Sequence, residues 1–286
     1  MSDDHWRLIT DLTEFLDEAG PFLRSRPVRH TVSLSVLENL RTQGTSLYGD
    51  RHPVFGALTD ADGQVVAAFF HTPPHPLNVT RLAPHQAQSL ADALLSHDHQ
   101  LLGITSDKTT AAAFVESWRH RTNTTATVIR GERLYRLGEL TPPEPAPPGR
   151  PRIATSADHA RLQAWNSAFA AELGFPRPAA DSLLASRIAA GGFTLWETPD
   201  GTPVSMAAAT GLIAGQIRIV TVYTPPEHRA RGYAGAATAE ASRRAREAGA
   251  QEVLLFADLA NRTSNALYQR IGYRPVEDFT AYGFQD

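Results

Sequence analysis

The chain has 286 residues, enough for two domains of roughly 140 residues each. Its 42% hydrophobic and 20% charged content excludes a disordered chain, and its net charge of -3 argues against a general nucleic-acid binder, which is normally basic. It has no cysteine, which excludes disulfides, thiolate zinc sites and a cysteine nucleophile.

The sequence also bears on where the protein works. No apolar run approaches the roughly 18 residues that a membrane-spanning helix needs, so no membrane partner is expected. The first residues, 1–6, are acidic and polar, unlike a secretory signal peptide, which joins basic residues to an apolar stretch. We therefore predict a cytoplasmic location.

The N-terminal half alternates helical and strand patterns. Apolar residues recur at helical spacing from Leu8 to Glu18, and Asp60–Gly63 is typical of a hairpin turn. In chain order the predicted elements are helices at 8–18 and 34–42, strands at 54–59, 64–71 and 77–82, a helix at 83–96, a strand at 101–105, a helix at 109–121, and a strand at 124–137 broken at Gly131.

The C-terminal half repeats this order, with Ser156 as the predicted N-cap of its first helix. Its predicted elements are helices at 156–172 and 180–190, strands at 193–197, 204–210 and 216–224, a helix at 232–248, a strand at 252–258, a helix at 264–271, and one or two strands within 273–284. The shared order predicts two copies of one α/β fold, each built on a mixed sheet.

A proline-rich segment separates the two halves. Residues 141–151 include six prolines, a density that blocks helices and central strands and favours an extended spacer. The predicted organisation is therefore an N-terminal domain at 1–140, a linker at 141–151 and a C-terminal domain at 152–286.

The junction between the strand at 216–224 and the helix at 232–248 is the most informative part of the sequence. It contains a double proline, two arginines and Gly232, followed by a small-residue helix start. Free N–H groups and the positive end of a helix dipole meet at such a junction. These features favour a phosphate or pyrophosphate ligand.

A second motif lies downstream. It begins at Asn261, continues with Tyr268 seven residues later, and ends at Gly272–Tyr273. Gly272 is the expected helix terminator. Tyr268 alone is typical of an amphipathic core position beside Leu267 and Ile271.

Together the two motifs resemble the GNAT superfamily of acetyl-CoA-dependent N-acyltransferases, over most of residues 152–286. Arg229–Ala234 resembles the family's acyl-CoA signature, Arg/Gln-x-x-Gly-x-Gly/Ala, and Asn261–Tyr273 resembles its Asn-x₆-Tyr-x₃-Gly-Phe/Tyr element. The resemblance implies tandem GNAT-like domains, of which the C-terminal one is catalytic. It also implies that the strand at 216–224 splays from the next one to admit the cofactor arm.

The resemblance assigns roles to individual residues. Tyr268 would be the general acid that protonates the departing CoA thiolate, since a phenol with a pKa near 10 is protonated at neutral pH. The N–H group of Val222 would stabilise the oxyanion. The implied acetyl-CoA contacts are Val222, Tyr223, Thr224, Arg229, Ala230, Arg231, Gly232, Tyr233, Ala234, Gly235 and Asn261.

The sequence does not single out one residue as the base that deprotonates the acceptor amine. Glu172 is the first candidate, as a base or an acceptor contact, because the corresponding helix and loop border the acceptor site in this fold. Glu197 is the second candidate and His228 the third. A water relay to bulk solvent is an equal alternative.

The N-terminal half departs from the family pattern. Its equivalent junction, 82–89, has neither the signature nor a glycine, and 109–121 lacks the Asn…Tyr…Gly element. We therefore expect a degenerate copy that does not bind CoA. Its histidines include His97 and His99, but residues two apart diverge on a helix, and no metal site is predicted.

The sequence thus predicts an acetyl-CoA-dependent N-acetyltransferase that acetylates a primary amine of a small molecule by direct attack in a ternary complex. One alternative is an acyltransferase with another donor or acceptor, for which residues after Tyr223 and around Phe175 would size the pocket. The other is a non-catalytic CoA-binding or scaffold protein. Acceptor identity and oligomeric state, a homodimer included, stay open.

Overall fold

The computed structural model describes residues 5–174 and 180–285, and Phe175 therefore lies outside the described residues. The chain forms two compact units. The first unit comprises residues 1–133, 258–260 and 277–286, and the second comprises 134–257 and 261–276.

The elements that begin in the first half of the chain have the order β-α-α-β-β-β-α-β-α-β. They are β1 (His5–Ile9), α1 (Leu12–Ser25), α2 (Thr31–Gln43), β2 (Val54–Thr59), β3 (Val65–His71), β4 (Leu77–Val79), α3 (Pro84–Ser96), β5 (Gly103–Asp107), α4 (Lys108–Thr122) and β6 (Thr125–Leu137).

The second half repeats this order and adds two 3-10 turns, at Ser156–Asp158 and Pro226–His228. Its elements are β7 (Arg150–Ile153), α5 (His159–Glu172), α6 (Asp181–Ala189), β8 (Phe193–Glu197), β9 (Pro203–Ala209), β10 (Gln216–Tyr223), α7 (Tyr233–Glu247), β11 (Glu252–Asp258), α8 (Arg262–Arg270) and β12 (Tyr273–Gln285).

Strand pairing is also duplicated. In the first unit β1 to β4 pair antiparallel in sequence and β4 pairs parallel with β5. In the second unit β7 to β10 pair antiparallel and β10 pairs parallel with β11. The predicted α/β fold with two copies of one mixed-sheet architecture is therefore confirmed.

The compact units do not follow the predicted boundaries, because two long strands contribute to both. Strand β6 passes from the first unit to the second after Arg133, and β12 returns to the first unit at Glu277. In the first unit β12 pairs with β5, from Phe279 opposite Asp107 to Gly283 opposite Gly103. The last strand of the sequence therefore completes the first unit's sheet.

The segment predicted as a linker packs within the second unit. The backbone N–H of Thr141 donates to the Ile271 carbonyl over 3.1 Å, and the Trp196 indole donates to the Pro148 carbonyl over 3.1 Å. Prolines lack an N–H but keep their carbonyls as acceptors. Strand β7 then begins at Arg150, inside the predicted linker.

Two other local predictions are wrong. The predicted helix at 8–18 is instead β1 followed by α1, which Asp11 caps by accepting the Glu14 N–H over 2.8 Å. A five-residue edge strand is too short to display a clear two-residue period. Ser156 is not the N-cap either, because the α5 cap position falls on Asp158.

Apolar side chains cover both faces of the second unit's sheet. One core joins α7 to β10 and β11 through residues that include Ala237, Ile219 and Leu255. The other joins α5 and α6 to β8 and β9, with Leu162 and Met206 fully buried. Helices on both faces explain the apolar strand sequences and hold the β10–α7 junction in place.

Candidate functional site

The turn between β10 and α7 has the backbone geometry of an anion cradle. Gly232 lies at φ +83° immediately before α7, and Ala230 lies at φ +60°. The first helical hydrogen bond joins the Ala236 N–H to the Gly232 carbonyl, so the N–H groups of Tyr233, Ala234 and Gly235 have no acceptor inside the helix. These donors and the helix dipole suit a phosphate.

Ala230 is a feature that sequence reasoning missed. Left-handed backbone is uncommon for a residue with a Cβ and is found at turns and functional sites. Nothing in the residue type signals this conformation. It follows from the double proline and Gly232 on either side, which together fix the path of the turn.

Strands β10 and β11 pair only over their first halves. Their parallel register runs from Gln216 opposite Glu252 to Ile219 opposite Leu255. At the same level a bulge between Ile219 and Thr221 shifts the pairing of β10 with β9, and a bulge bends the strand that carries it. The strand ends therefore part, as the resemblance predicts, and leave room for an extended arm beside β10.

At the C-terminal end of β10, Val222 pairs opposite Ala207 and Tyr223 opposite Met206. Val222 is half-buried, whereas Tyr223 and Thr224 are largely buried. The Thr224 hydroxyl lies 2.8 Å from the Ser205 hydroxyl. This side of β10 is anchored to β9, and the other side faces the opening.

The two arginines of the turn behave differently. Arg229 forms an ion pair with Glu172 at 2.6 Å, donates to the Thr224 carbonyl over 2.8 Å, and lies 5.7 Å from the centre of the Tyr223 ring. Arg231 is exposed and forms no ion pair within the described part of the chain. Arg231 is thus the arginine whose charge is available to phosphates.

The ion pair also changes the interpretation of Glu172. Its carboxylate is engaged by Arg229, so a base function would require this pair to open. Nearby, Trp165 lies 6.2 Å from Tyr223, ring centre to ring centre. Trp165 also packs against the second unit's apolar cluster.

The remaining base candidates have other surroundings. Glu197 is buried beside Arg152, which also holds Asp158 through two bonds of 2.7 Å. This guanidinium holds the pKa of Asp158 below its usual range and ties β7 to β8, which indicates a structural role for Glu197. The His228 Nδ1 atom is buried and has no hydrogen-bond partner among the described residues.

Tyr268 lies on α8 with 8% of its surface exposed. Burial raises the pKa of its phenol to about 12, so the hydroxyl remains protonated at neutral pH. Its ring meets Tyr273 edge-on at 6.2 Å, and the Tyr273 hydroxyl is bonded to Ser242 at 2.7 Å. The Tyr268 hydroxyl itself makes no hydrogen bond within residues 5–174 and 180–285.

Helices α7 and α8 meet at the start of α7. A Cβ at Gly235 would lie 2.8 Å from Leu267 Cδ1, a distance that real Cβ atoms do not show. A Cβ there would require the flexible end of the Leu267 side chain to shift, so Gly235 eases the close approach of α8, the helix that carries Tyr268. The fold thus brings the helix of the predicted acid against the start of α7.

Asn261 caps α8, with its side-chain oxygen accepting the Ser264 N–H over 3.0 Å. The amide of Asn265 donates to the Asn261 carbonyl over 2.8 Å, and the Tyr135 hydroxyl donates to the Asn265 side chain over 2.7 Å. Sequence reasoning missed Tyr135, since only the fold brings β6 to this helix.

The corresponding junction in the first unit is closed. Pro84 opens α3 without an N–H to offer, the Gln86 side chain accepts the Ala83 N–H over 3.0 Å, and Thr110 accepts the Leu82 N–H over 2.9 Å. The Ser106 hydroxyl also donates to the Val79 carbonyl over 2.8 Å, joining the ends of β4 and β5. The start of α3 therefore lacks one N–H group, at Pro84, and the N–H groups of Leu82 and Ala83 are engaged.

Comparison with known proteins finds a similar sequence segment and a similar fold. A family model described as FR47-like protein matches residues 203–281, the span that holds both motifs. A GCN5-related N-acetyltransferase structure from Sphaerobacter thermophilus is 18% identical with a TM-score of 0.63, covering 97% of this chain and 94% of that one. The protein has a tandem GNAT fold.

Two further GNAT structures resemble the chain over nearly its whole length. An acetyltransferase from Colwellia psychrerythraea is 12% identical with a TM-score of 0.59, covering 98% of this chain and 100% of that one. A tandem GNAT protein from the clavulanic acid biosynthesis pathway is 11% identical with a TM-score of 0.56, covering 97% and 98%. A search of curated proteins gave no match.

Two remaining questions about the chain concern metal sites and membrane-spanning helices. Within the described residues, no group of three or more His, Cys, Asp or Glu side chains could hold a metal ion. None of the helices described for the chain is both long and apolar enough to cross a membrane.

Proposed function

We propose that this protein is an acetyl-CoA-dependent N-acetyltransferase with one active site, in its second unit, that acetylates a primary amine of a small molecule. The observation that carries the proposal is the β10–α7 junction, where Gly232 in left-handed backbone and the unused N–H groups of α7 lie at the point where β10 and β11 part. The pyrophosphate would bind at this turn and the pantetheine arm along β10.

The chemistry follows from positioning and proton transfer. The acceptor nitrogen attacks the thioester carbonyl, a C–N bond forms, the C–S bond breaks, and the thiolate takes a proton from the Tyr268 hydroxyl. The Val222 N–H would stabilise the oxyanion. The acceptor nitrogen would lose one proton before the attack and a second as the amide forms, through water or through Glu172 after its ion pair with Arg229 opens. One of these protons would return through water to the Tyr268 oxygen.

Only the second unit would bind the donor. The start of α3 in the first unit offers fewer donors to a pyrophosphate, because Pro84 has no N–H and those of Leu82 and Ala83 are engaged. We propose that the first unit is a degenerate copy with a structural role, and that the protein works in the cytoplasm.

Calorimetric titration with acetyl-CoA tests the proposal. We expect one site per chain for the wild type and at least about 10-fold weaker binding for Arg231→Glu, because a charge at the phosphates is reversed. Arg119→Glu, an exposed change of equal charge on α4, is the control and should bind normally. Two sites per chain would refute a closed first unit, and no binding at all would refute the proposed function.

A further inference from the structure

A polar cleft in the first unit stands apart from the junction that would bind acetyl-CoA. It is bounded by the end of α1, the start of α2, and the ends of β4 and β5, with β12 alongside. Its enclosed part measures about 30 Å³, room for a group of about the size of one water molecule. The hydrogen bond from Ser106 to Val79 closes the strand opening behind it.

Asp107 is one of the residues that line this cleft. Asp107 is 5% exposed, and its Oδ1 atom caps α4 by accepting the Thr110 N–H over 3.2 Å. Its Oδ2 atom is buried and has no hydrogen-bond partner among the described residues. An unpaired buried carboxylate oxygen is costly, so this atom calls for a donor, best supplied by a cation.

Arginines line the same cleft. Arg29 and Arg81 both pair with Glu277. Arg26 forms no ion pair within the described residues, and its guanidinium lies 5.9 Å from the centre of the Phe22 ring. Three arginines therefore face two carboxylates, Asp107 and Glu277, and the cleft carries an excess positive charge beside one unsatisfied anionic oxygen.

His30, also in the cleft, does not alter this balance at neutral pH. It is buried, its Nδ1 atom lies 3.0 Å from the Leu23 carbonyl oxygen, and burial lowers its pKa to about 4. His30 is thus an uncharged lining residue of the cleft at neutral pH. The charges that a ligand meets are those of the arginines and the two carboxylates.

We propose that this cleft binds a small α-amino acid, with the ammonium group donating to Asp107 Oδ2 and the carboxylate held by the Arg26 guanidinium. The enclosed volume fits an ammonium group, and the open side leaves the carboxylate near the exposed arginine. A planar guanidinium matches a carboxylate through two parallel hydrogen bonds. A ligand that is only anionic would leave Asp107 unsatisfied, and one that is only cationic would meet the arginines.

Glycine and acetate, titrated into the full-length protein at pH 7 and followed by NMR, test this site. Glycine carries both groups and acetate only the carboxylate. We expect saturable glycine binding, about 10-fold or more tighter than acetate, because a charge-assisted hydrogen bond is lost with acetate. Absence of saturable glycine binding up to about 20 mM, weaker than most functional sites, would overturn the proposal.

Variants locate the two contacts. Asp107→Asn keeps an N-cap acceptor but replaces the oxygen that receives the ammonium, and should weaken glycine binding about 10-fold without changing acetate. Arg26→Gln, at an exposed position, should weaken both probes. Arg24→Gln, an exposed arginine of α1 outside the cleft, should weaken neither. Glycine binding unchanged in both Asp107→Asn and Arg26→Gln would overturn the assignment.

The second unit's active site is a separate place where an amine could bind. Arg231→Glu, which should weaken acetyl-CoA binding, should leave glycine binding intact. Loss of glycine binding in Arg231→Glu, with normal binding in Asp107→Asn, would place the amino acid at the acceptor site and overturn the inference. Failure of the proposed function would instead appear in the acetyl-CoA titration alone.

Discussion

Tyr268, the proposed general acid, keeps its proton at neutral pH and has its hydroxyl available. It is buried, its pKa is raised to about 12 by that burial, and its hydroxyl is not committed to a hydrogen bond within the described residues. Tyr273, 6.2 Å away ring to ring, differs in that its hydroxyl is bonded to Ser242. Of the two hydroxyls, only that of Tyr268 is without a hydrogen bond among the described residues, which is why we propose it as the acid.

We expect Tyr268→Phe to lower kcat for acetyl transfer by about 100-fold or more, since proton donation to the leaving group is lost, with acetyl-CoA affinity unchanged. Steady-state kinetics and calorimetry measure the two quantities. The control, Tyr273→Phe, should cost about 1 kcal/mol of unfolding free energy and leave kcat unchanged. Equal kcat in wild type and Tyr268→Phe would remove the acid assignment.

His71 makes the first unit sensitive to acid. It is 2% exposed, its Nδ1 atom lies 2.7 Å from His99 Nε2, and burial lowers its pKa from 6.5 to about 4. Because the folded-state pKa is depressed, the neutral ring contributes stability above pH 6.5, and this contribution is lost as the pH falls toward 4.

The unfolding free energy of the wild type should therefore fall by up to about 3 kcal/mol between pH 7 and pH 4 on account of His71, given 1.36 kcal/mol per pKa unit. Urea unfolding at several pH values measures this. His71→Asn should show a shallower pH dependence, whereas His120→Asn, at an exposed position, should match the wild type. Parallel pH curves for His71→Asn and wild type would contradict the prediction.

At the scale of elements, the β10–α7 turn depends on Gly232. Its φ of +83° is unfavourable for a residue with a Cβ, although a Cβ there would meet only Pro147 at an ordinary 3.8 Å. Gly201 in the β8–β9 turn has nearly the same φ, +86°, and open space around it. Both glycines adopt left-handed backbone, but only Gly232 lies in the turn before α7.

Gly232→Ala and Gly201→Ala should each lower the unfolding free energy by about 1 kcal/mol, because both place a Cβ in left-handed backbone. Only Gly232→Ala should also weaken acetyl-CoA binding, since its turn would shift away from the phosphates. Thermal unfolding and calorimetry separate the two effects. Equal acetyl-CoA affinity in both variants would argue against this turn as the phosphate site.

At the scale of the whole molecule, the end of the chain supports the first unit. Phe284 on β12 is 9% exposed, stacks with Trp118 at 6.0 Å, and donates its N–H to the Leu102 carbonyl over 2.9 Å. The sequence alone assigned residues 152–286 to one domain. The structure shows that the last residues stabilise the other unit.

Phe284→Ala should destabilise the first unit by about 3 kcal/mol, the usual cost of removing a buried phenyl ring, and should leave the second unit's amides protected. Hydrogen exchange of β5 and β10 reports on the two units separately. Val276→Ala, at a 40% exposed position, is the control and should change neither. Faster exchange in β10 than in β5 for Phe284→Ala would contradict the assignment of these residues.

How much the sequence determined can be seen from particular residues. The limits of β2, β8 and β11 were predicted to the residue, because apolar runs bounded by turn residues are local signals. The acyl-CoA signature predicted the β10–α7 turn, because Gly232 and the flanking prolines restrict the local backbone. Local sequence by itself therefore determined the elements, their duplicated order and the backbone geometry of the turn.

Only the tertiary structure decided which residues meet across long separations. It paired Arg229 with Glu172, 57 positions apart, brought Tyr135 to Asn265, and left Asp107 Oδ2 unsatisfied in a cleft that Glu277 also lines. The sequence likewise did not predict that β6 and β12 each contribute to both units, since a strand's sequence specifies its faces but not its neighbours. Hydrophobic burial and hydrogen-bond satisfaction over the whole chain select those neighbours, and with them the charges that surround each site.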